Sequence, residues 1–112
     1  MLSREYRLPA TIRFSHSRYN KTPLFSIKYA RSTAPVSRFA FIVRKTVDKR
    51  SVIRNRIRRV FRSCIEELLG EIVPGYDMLF FLEKGIIDNT REEMLKEISR
   101  TLEKNGLLSV RH

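Results

Sequence analysis

The stretch KRSVIRNRIRRVFRSCIEELL, residues 49–69, is the most informative part of the chain. At about 100° per residue it is predicted to form a helix with one apolar side and one basic side. The apolar side carries Ile53, Ile57, Val60, Phe61, Cys64 and Leu68. The opposite side carries Asn55, Arg58, Arg59 and Arg62, with Arg54 and Arg56 at the two margins. Guanidinium groups clustered on a helix that buries its other side are typical of a phosphate-binding surface.

The charge of the chain is concentrated in the half that contains this helix. The net charge is +11, and residues 1–62 hold 17 Lys and Arg against 2 Asp and Glu. Residues 63–112 hold 6 basic and 10 acidic residues. We therefore expect a polyanion to bind the first half and the arginine helix, while the second half serves as scaffold.

The overall composition predicts a small globular protein. With 112 residues, 42% hydrophobic residues and no repeat or linker, we expect one RNA-binding domain over 1–112. It would consist of a basic N-terminal arm or short helix over 1–22 and an α/β core over 24–112. No apolar run approaches the roughly 20 residues of a membrane span, and residues 1–10 lack the apolar core of a secretory signal. A single cysteine suits a reducing compartment, so a cytoplasmic location is expected.

The remaining patterns predict the order of the elements. Alternating apolar residues indicate strands over 24–30 and 39–45, and the apolar run 76–83 indicates a third. Asp48 or Ser51 is expected to cap the arginine helix and Gly70 to end it. A capping box at Thr90 and Glu93 begins a second helix that ends at 105–106, and a short helix is predicted over 11–18. The fold class is α+β, a two-layer sandwich with the order β-β-α-β-α. The arginine helix would be the crossover if the second and third strands are adjacent and parallel.

Several features of the arginine helix favour a polyanionic partner over an ordinary solvated face. Arginines four residues apart repel one another, and arginines at the start of a helix oppose its dipole. A chain that keeps these unfavourable charges is expected to have a counter-charge. Since the sequence shows no helix-turn-helix, zinc spacing or heptad pattern, we expect phosphate tracking and shape recognition of structured RNA.

The aromatic and reactive residues give less information about function than the arginine helix does. Phe14 and Tyr19 lie in the polar arm and are candidates for stacking on unpaired bases, whereas Phe39, Phe41, Phe80 and Phe81 are interpreted as packing. His16 and His112 are isolated and Cys64 lies on an apolar helix side, so no catalytic arrangement is recognised. Late in the helix, the carboxylates Glu66, Glu67 and Glu71 fit a solvated surface better than a metal site.

The run KTVDKRSVIRNRIRRVFR, residues 45–62, resembles the signature of the bacterial ribonuclease P protein subunit. The resemblance extends over about residues 38–105, including the strands on either side and the closing helix. It implies a ribosomal-protein-like fold whose strand-helix-strand crossover is left-handed, against the usual rule. It also implies a subunit that binds a catalytic RNA and the 5′ leader of precursor tRNA. The RNA with its Mg²⁺ ions would remove the leader, so this chain would be the non-catalytic subunit of an endoribonuclease.

The resemblance also suggests which residues make the contacts. By position, the residues expected to bind the catalytic RNA are Arg44, Lys45, Lys49, Arg50, Arg54, Asn55, Arg56, Arg58, Arg59 and Arg62. Candidates for a leader-binding cleft on the sheet are Phe14, Arg18, Tyr19, Ser26 and Lys28. No catalytic residue, tightly bound metal or protein partner is expected in the protein, and Mg²⁺ would be held mainly by the RNA.

Three other functions fit the sequence less well. A ribosomal or general structured-RNA-binding protein would use the same charge asymmetry and element order. A metal-dependent nuclease would need a carboxylate cluster, which the sequence does not show. Binding to an anionic membrane would need apolar anchors beside the arginines, which are absent.

Overall fold

In the part of the chain that the structure describes, two α-helices and four strands make up the fold, in an order close to the predicted one. The computed structural model describes residues 2–9, 12–14 and 16–109. In chain order the elements are β1 (Arg18–Lys21), β2 (Phe25–Arg31), β3 (Arg38–Val43), α1 (Ser51–Leu68), β4 (Tyr76–Leu82) and α2 (Arg91–Lys104). Short 3₁₀ helices span Arg4–Tyr6, Leu69–Glu71 and Lys84–Ile86. The predicted α+β class is confirmed, with one strand more than expected.

The strands form one mixed sheet in the order β1-β2-β4-β3. β4 pairs antiparallel with β2, with Tyr76 opposite Arg31, and parallel with β3, with Asp77 opposite Arg38. The two parallel strands are neighbours, and α1 connects them. The arginine helix is therefore the crossover, as the sequence predicted.

Both helices pack on one face of the sheet, where most of the apolar side chains lie. Phe25, Phe61 and Phe80 are fully buried, with ring centroids 5.2–5.7 Å apart in tilted and edge-to-face arrangements. From α1, the buried residues are Ile57, Phe61, Cys64, Ile65 and Leu68. The apolar side predicted for the helix is confirmed, with Ile53 and Val60 half-buried at its border.

The opposite face of the sheet, here called the open face, carries a smaller apolar cluster. Leu8, Ala40 and Leu79 are buried there, and half-buried side chains pack around them. The N-terminal arm runs beside β3, where the backbone N–H of Leu8 donates to the carbonyl of Phe39 at 2.8 Å. The arm therefore covers the outer edge of β3 and part of the open face.

The helix predicted over 11–18 is wrong for the residues that the structure describes. Residues 12–14 and 16–17 have no helical structure, and Arg18 begins β1; Thr11 and Ser15 lie outside the described residues. β1 is polar and largely exposed, and it pairs with β2 along one side only. A polar edge strand has no apolar alternation, so it leaves little signal in the sequence.

The helix ends agree with the predictions at α2 but not at α1. The capping box of Thr90 and Glu93 is present, and Gly106 adopts a φ of 73° where the chain leaves α2. At α1 the N-cap residue is Arg50, which makes no side-chain cap. Asp48 instead accepts hydrogen bonds from the backbone and guanidinium of Arg50, and Gly70 lies within a 3₁₀ turn that continues from the helix. None of the described helices is both long and apolar enough to cross a membrane.

Candidate RNA interface

The arginines of α1 divide into a half-buried row and an exposed group. Arg54, Arg58 and Arg62 follow one another at intervals of four residues and are half-buried, whereas Asn55, Arg56 and Arg59 are exposed. The helical wheel had assigned Arg58 and Arg62 to the outermost side. Both are more covered than expected. For Arg62 the N-terminal arm contributes to the cover, because Arg62 lines a cavity of about 320 Å³ with Leu2, Arg7 and Phe41.

Each arginine of the half-buried row has an interaction that fixes its direction. Arg54 Nη1 donates to the carbonyl oxygens of Asp48 and Lys49, at 3.0 and 2.8 Å. Arg58 Nη1 donates to Asn55 Oδ1 at 2.8 Å. The guanidinium of Arg62 lies 5.8 Å from the ring centroid of Phe41. The row is thus oriented before any ligand binds.

None of these interactions neutralises the positive charge of the helix. Within the described part of the chain, Arg54, Arg56, Arg58, Arg59 and Arg62 form no ion pair with a carboxylate. Burial lowers the pKa of Arg58, and repulsion from Arg62 and Arg54 lowers it further. Since the guanidinium still carries its proton at neutral pH, the repulsion is part of the folded state, and a bound polyanion would relieve it.

The connection before α1 extends the basic surface. Lys45, Lys49 and Arg50 are exposed and line a cavity of about 490 Å³ that Lys84 completes. Arg50 forms a bidentate pair with Asp48, and its hydrogen bonds lower the pKa of Asp48 to about 2. The first turn of α1 holds no acidic residue and no side-chain cap. Its free N–H groups and the positive end of the helix dipole therefore add to the attraction for phosphate.

On the open face, four of the five predicted leader-cleft residues lie on one surface. Lys28 Nζ lies 5.8 Å from the ring centroid of Phe14, and Lys28 is the register partner of Tyr19, whose side chain is 63% exposed. Ser26 lies on the same face but is buried, and its hydroxyl donates to Glu83 Oε1 at 2.9 Å. This surface combines aromatic rings with a lysine, which suits an unpaired nucleic-acid strand.

Arg18, the fifth candidate, lies elsewhere. It is the register partner of Tyr29, whose side chain belongs to the core on the helix side of the sheet. Directly opposed residues of antiparallel strands project to the same face, so Arg18 projects away from the open face. The structure therefore separates Arg18 from Phe14, Tyr19, Ser26 and Lys28.

Arg44 lies between the basic connection that precedes α1 and the open face. It follows β3, and its guanidinium lies 5.1 Å from the ring centroid of Phe81. Phe81 is half-buried on the open face and packs against the apolar cluster there, so its interpretation as a packing residue is confirmed. The alternation of β4 places Phe81 on the face opposite the core residue Phe80, but it did not predict the contact with Arg44. Glu83 was also missed, since no local pattern pairs it with Ser26, 57 residues away.

Other polar residues are used within the protein. Arg38 and Asp77 form a bidentate ion pair, with both distances 2.9 Å, and it raises the pKa of Arg38. Cys64 is fully buried as predicted, and burial raises the pKa of its thiol. Among the described residues, no three His, Cys, Asp or Glu side chains come together in a way that could hold a metal ion. His112 lies outside the described residues.

A known family model matches most of the chain. The model of the family described as Ribonuclease P matches residues 2–106 of the chain. The chain belongs to the ribonuclease P protein family. Among curated relatives, the ribonuclease P protein component of Microcystis aeruginosa is 36% identical over 72 residues, which are 64% of this chain and 60% of that protein. The corresponding protein of a Synechocystis species is 26% identical over an alignment that covers 94% of both chains.

Solved structures of the family share the fold. The ribonuclease P protein of Staphylococcus aureus superposes with a TM-score of 0.74 at 16% identity, covering 83% of this chain and 84% of that one. The protein from Thermotoga maritima gives a TM-score of 0.72 at 15% identity, covering 79% and 83%. The family match contains β1 to β4 and both helices, so it includes the arginines of α1 and the strands of the open face.

Proposed function

We propose that the protein is the protein subunit of a ribonuclease P ribonucleoprotein, which removes the 5′ leader from precursor tRNA. The α1 arginines and the preceding basic connection bind the catalytic RNA. The open face binds the single-stranded leader. The observation that carries the proposal is the row Arg54, Arg58 and Arg62, oriented by local interactions yet without a carboxylate partner in the described chain.

The α1 surface is suited to an RNA backbone. Guanidinium groups at four-residue intervals lie about 6 Å apart along the helix, since each residue rises about 1.5 Å. That spacing is comparable to the distance between successive phosphates of a nucleic-acid strand. Each phosphate bound would release condensed counterions, which makes the affinity strongly dependent on salt. The subunit would thereby reduce repulsion between the catalytic RNA and its substrate.

The open face is suited to an unpaired strand. Exposed Tyr19 and half-buried Phe14 offer ring faces to bases, and Lys28 and Arg44 lie beside rings where backbone phosphates would pass. Base stacking depends little on base identity, so this surface would accept leaders of different sequence. Glu83 is the exception, because a carboxylate beside the leader favours bases that present an amino group.

Chemistry is assigned to the RNA and not to this chain. Mg²⁺ ions held mainly by the RNA would activate the attacking water and stabilise the leaving oxygen. The contribution of the protein is to position the leader and to supply positive charge, so it should lower the Mg²⁺ concentration that cleavage requires.

The test is cleavage of a 5′-labelled precursor tRNA by bacterial ribonuclease P RNA at low Mg²⁺. We expect cleavage at the 5′ end of the mature tRNA only when the RNA and this protein are both present. The protein alone should not cut. The double variant Arg54→Ala with Arg58→Ala should reduce this cleavage, and the charge-matched variant Lys96→Ala with Arg100→Ala, which removes two cations outside the proposed interface, should not.

Two results would contradict the proposal. Tight binding of the RNA without any increase in cleavage would instead favour a ribosomal or general RNA-binding protein. Cutting by the protein alone, if retained through rigorous purification, would transfer the chemistry to this chain.

A further inference from the structure

A cavity of about 710 Å³ lies on the helix side of the sheet, beside the edge strand β1. Its lining includes His16, Arg18, Tyr29, Arg31, Tyr76 and Asn105, and it is here called the β1 pocket. Neither the proposed catalytic-RNA surface nor the proposed leader surface includes it. β1 and β3 are the opposite edges of the sheet, so three strand spacings of about 4.8 Å separate the pocket from the strand that precedes α1.

Among the described residues, no acidic side chain balances the positive charge of the β1 pocket. Arg18 and Arg31 are exposed, the lining contains no Asp or Glu, and neither arginine has an ion pair within the described part of the chain. The C-terminal end of α2 adds a partial negative charge near Asn105, which two full guanidinium charges outweigh. The pocket should therefore attract an anionic group.

The aromatic wall of the pocket is held by hydrogen bonds and ring contacts. Tyr29 is 5% exposed, and its hydroxyl donates to Asn105 Oδ1 at 3.1 Å while Asn105 Nδ2 donates to the carbonyl of Thr101 at 2.8 Å. The rings of Tyr29 and Tyr76 meet edge to face at 6.3 Å. The guanidinium of Arg31 lies 5.5 Å from the ring centroid of Tyr76. The exposed, planar guanidinium of Arg31 beside the Tyr76 ring therefore offers a surface on which an aromatic base can stack.

We propose that the β1 pocket is a third RNA-binding site, separate from the α1 surface and the open face, which holds one unpaired nucleotide. Its phosphate lies between Arg18 and Arg31, and its base stacks on the wall formed by Arg31 and Tyr76. The volume falls within the roughly 300–1,000 Å³ of small-ligand sites, which is enough for a nucleotide. The proposal rests on the proposed function only in that RNA is the ligand. It adds a binding site on the side of the sheet opposite the leader surface.

The four tyrosines of the chain provide separate reporters for the two surfaces. Tyr29 and Tyr76 belong to the β1 pocket, Tyr19 to the open face and Tyr6 to neither. The experiment is an NMR titration of the full chain, carrying ¹³C-labelled tyrosine rings, with single-stranded pentaadenylate. We expect saturable shifts at Tyr29 and Tyr76, with an apparent Kd that can be read independently of Tyr19.

The decisive variant is Arg18→Ala with Arg31→Ala, compared with the charge-matched Lys96→Ala and Arg100→Ala. Removal of two charge-assisted hydrogen-bond donors should weaken the binding reported by Tyr29 and Tyr76 roughly tenfold or more, and leave Tyr19 unchanged. Arg31→Lys, which keeps the charge but not the flat guanidinium, should recover only part of the affinity. The charge-matched control should bind as the wild type does.

Three outcomes would overturn the inference. Shifts confined to Tyr19 would leave RNA binding on the open face and exclude the pocket. Equal weakening in the pocket variant and its control would mean that net charge, not the pocket, binds the probe. Equal shifts at Tyr29 and Tyr76 with pentaglutamate would identify a site for acidic peptides instead. Failure of the proposed function would be seen separately, as loss of precursor cleavage.

Discussion

At the scale of single residues, Arg58 shows a conflict between stability and binding. It lies between Arg54 and Arg62 on the same side of α1; burial lowers its pKa, and both neighbours lower it further. Like charges four residues apart destabilise a helix by a few tenths of a kcal/mol per pair. We therefore expect Arg58→Gln to raise the free energy of unfolding of the free protein by about 0.5 kcal/mol, measured by urea denaturation, while weakening its binding to ribonuclease P RNA.

Arg56→Gln is the matched control for this prediction. Arg56 is exposed, the residues four positions away are Val52 and Val60, and its one like-charged neighbour at helical spacing is Arg59, three positions away. Because Arg58 has two such neighbours, Arg56→Gln should raise the free energy of unfolding by about half as much as Arg58→Gln. A lower stability in Arg58→Gln would mean that the packing of the half-buried arginine stem outweighs the repulsion.

Individual side chains also mark the limit of what the sequence could predict. Periodicity correctly identified Ile57, Phe61, Cys64 and Leu68 as buried, because one helix face must meet the core. It could not predict the cover over Arg62, because that depends on an arm distant in sequence. The Arg38–Asp77 pair is equally non-local, since it depends on the parallel register of β3 and β4.

At the scale of elements, the start of α2 is predicted to be sensitive to acid. Glu93 accepts a hydrogen bond from the backbone N–H of Thr90, and this interaction lowers the pKa of Glu93 below its ordinary 4.5. A carboxylate with a lowered pKa stabilises the fold fully above its unfolded value, and that contribution is lost as the pH falls through the folded value. The stability difference between wild type and Glu93→Gln should therefore shrink towards zero on acidification below about pH 4.5.

Thr90→Ala provides the comparison within the same cap. The hydroxyl of Thr90 accepts from the backbone N–H of Glu93, and its loss should lower the free energy of unfolding by about 1 kcal/mol. Both variants are measured by urea denaturation across the same pH range. A stability difference for Glu93→Gln that stays constant down to about pH 2, well below the unfolded pKa, would contradict the assignment of the acid sensitivity to this carboxylate.

The elements differ in how much of their structure the sequence carries. α2 begins and ends at local signals, a capping box and an Asn-Gly pair, so its bounds followed from a few residues. β1 has the sequence RYNK, with neither apolar alternation nor a strong turn, and its pairing with β2 alone makes it a strand. The residues of the candidate leader surface differ in the same way. Tyr19 was found by residue type, whereas the separation of Arg18 required the register.

At the scale of the whole molecule, the question is whether net charge or the α1 surface determines RNA binding. The chain carries a net charge of +11, and removing any two cations lowers it equally. If α1 binds phosphates, Arg54→Ala with Arg58→Ala should reduce the slope of log K against log salt by about 0.7–0.9 for each phosphate that is no longer neutralised. The control Lys96→Ala with Arg100→Ala should leave the slope unchanged. Equal changes in both double variants would attribute binding to the overall field instead.

The two faces of the molecule are also predicted to act on different parts of the substrate. Phe14→Leu with Tyr19→Leu removes two rings from the open face but keeps apolar side chains there, so folding should be retained. Base stacking contributes about 1–3 kcal/mol per base, so kcat/KM for a precursor tRNA with a long leader should fall at least about fivefold. The same variant should cleave a precursor with a single leader nucleotide as fast as the wild-type holoenzyme does.

The α1 double variant, Arg54→Ala with Arg58→Ala, should slow the cleavage of both substrates equally, because it weakens assembly with the catalytic RNA. If the open-face variant slowed both substrates to the same extent, the leader would have to bind elsewhere and the division between the two faces would be wrong.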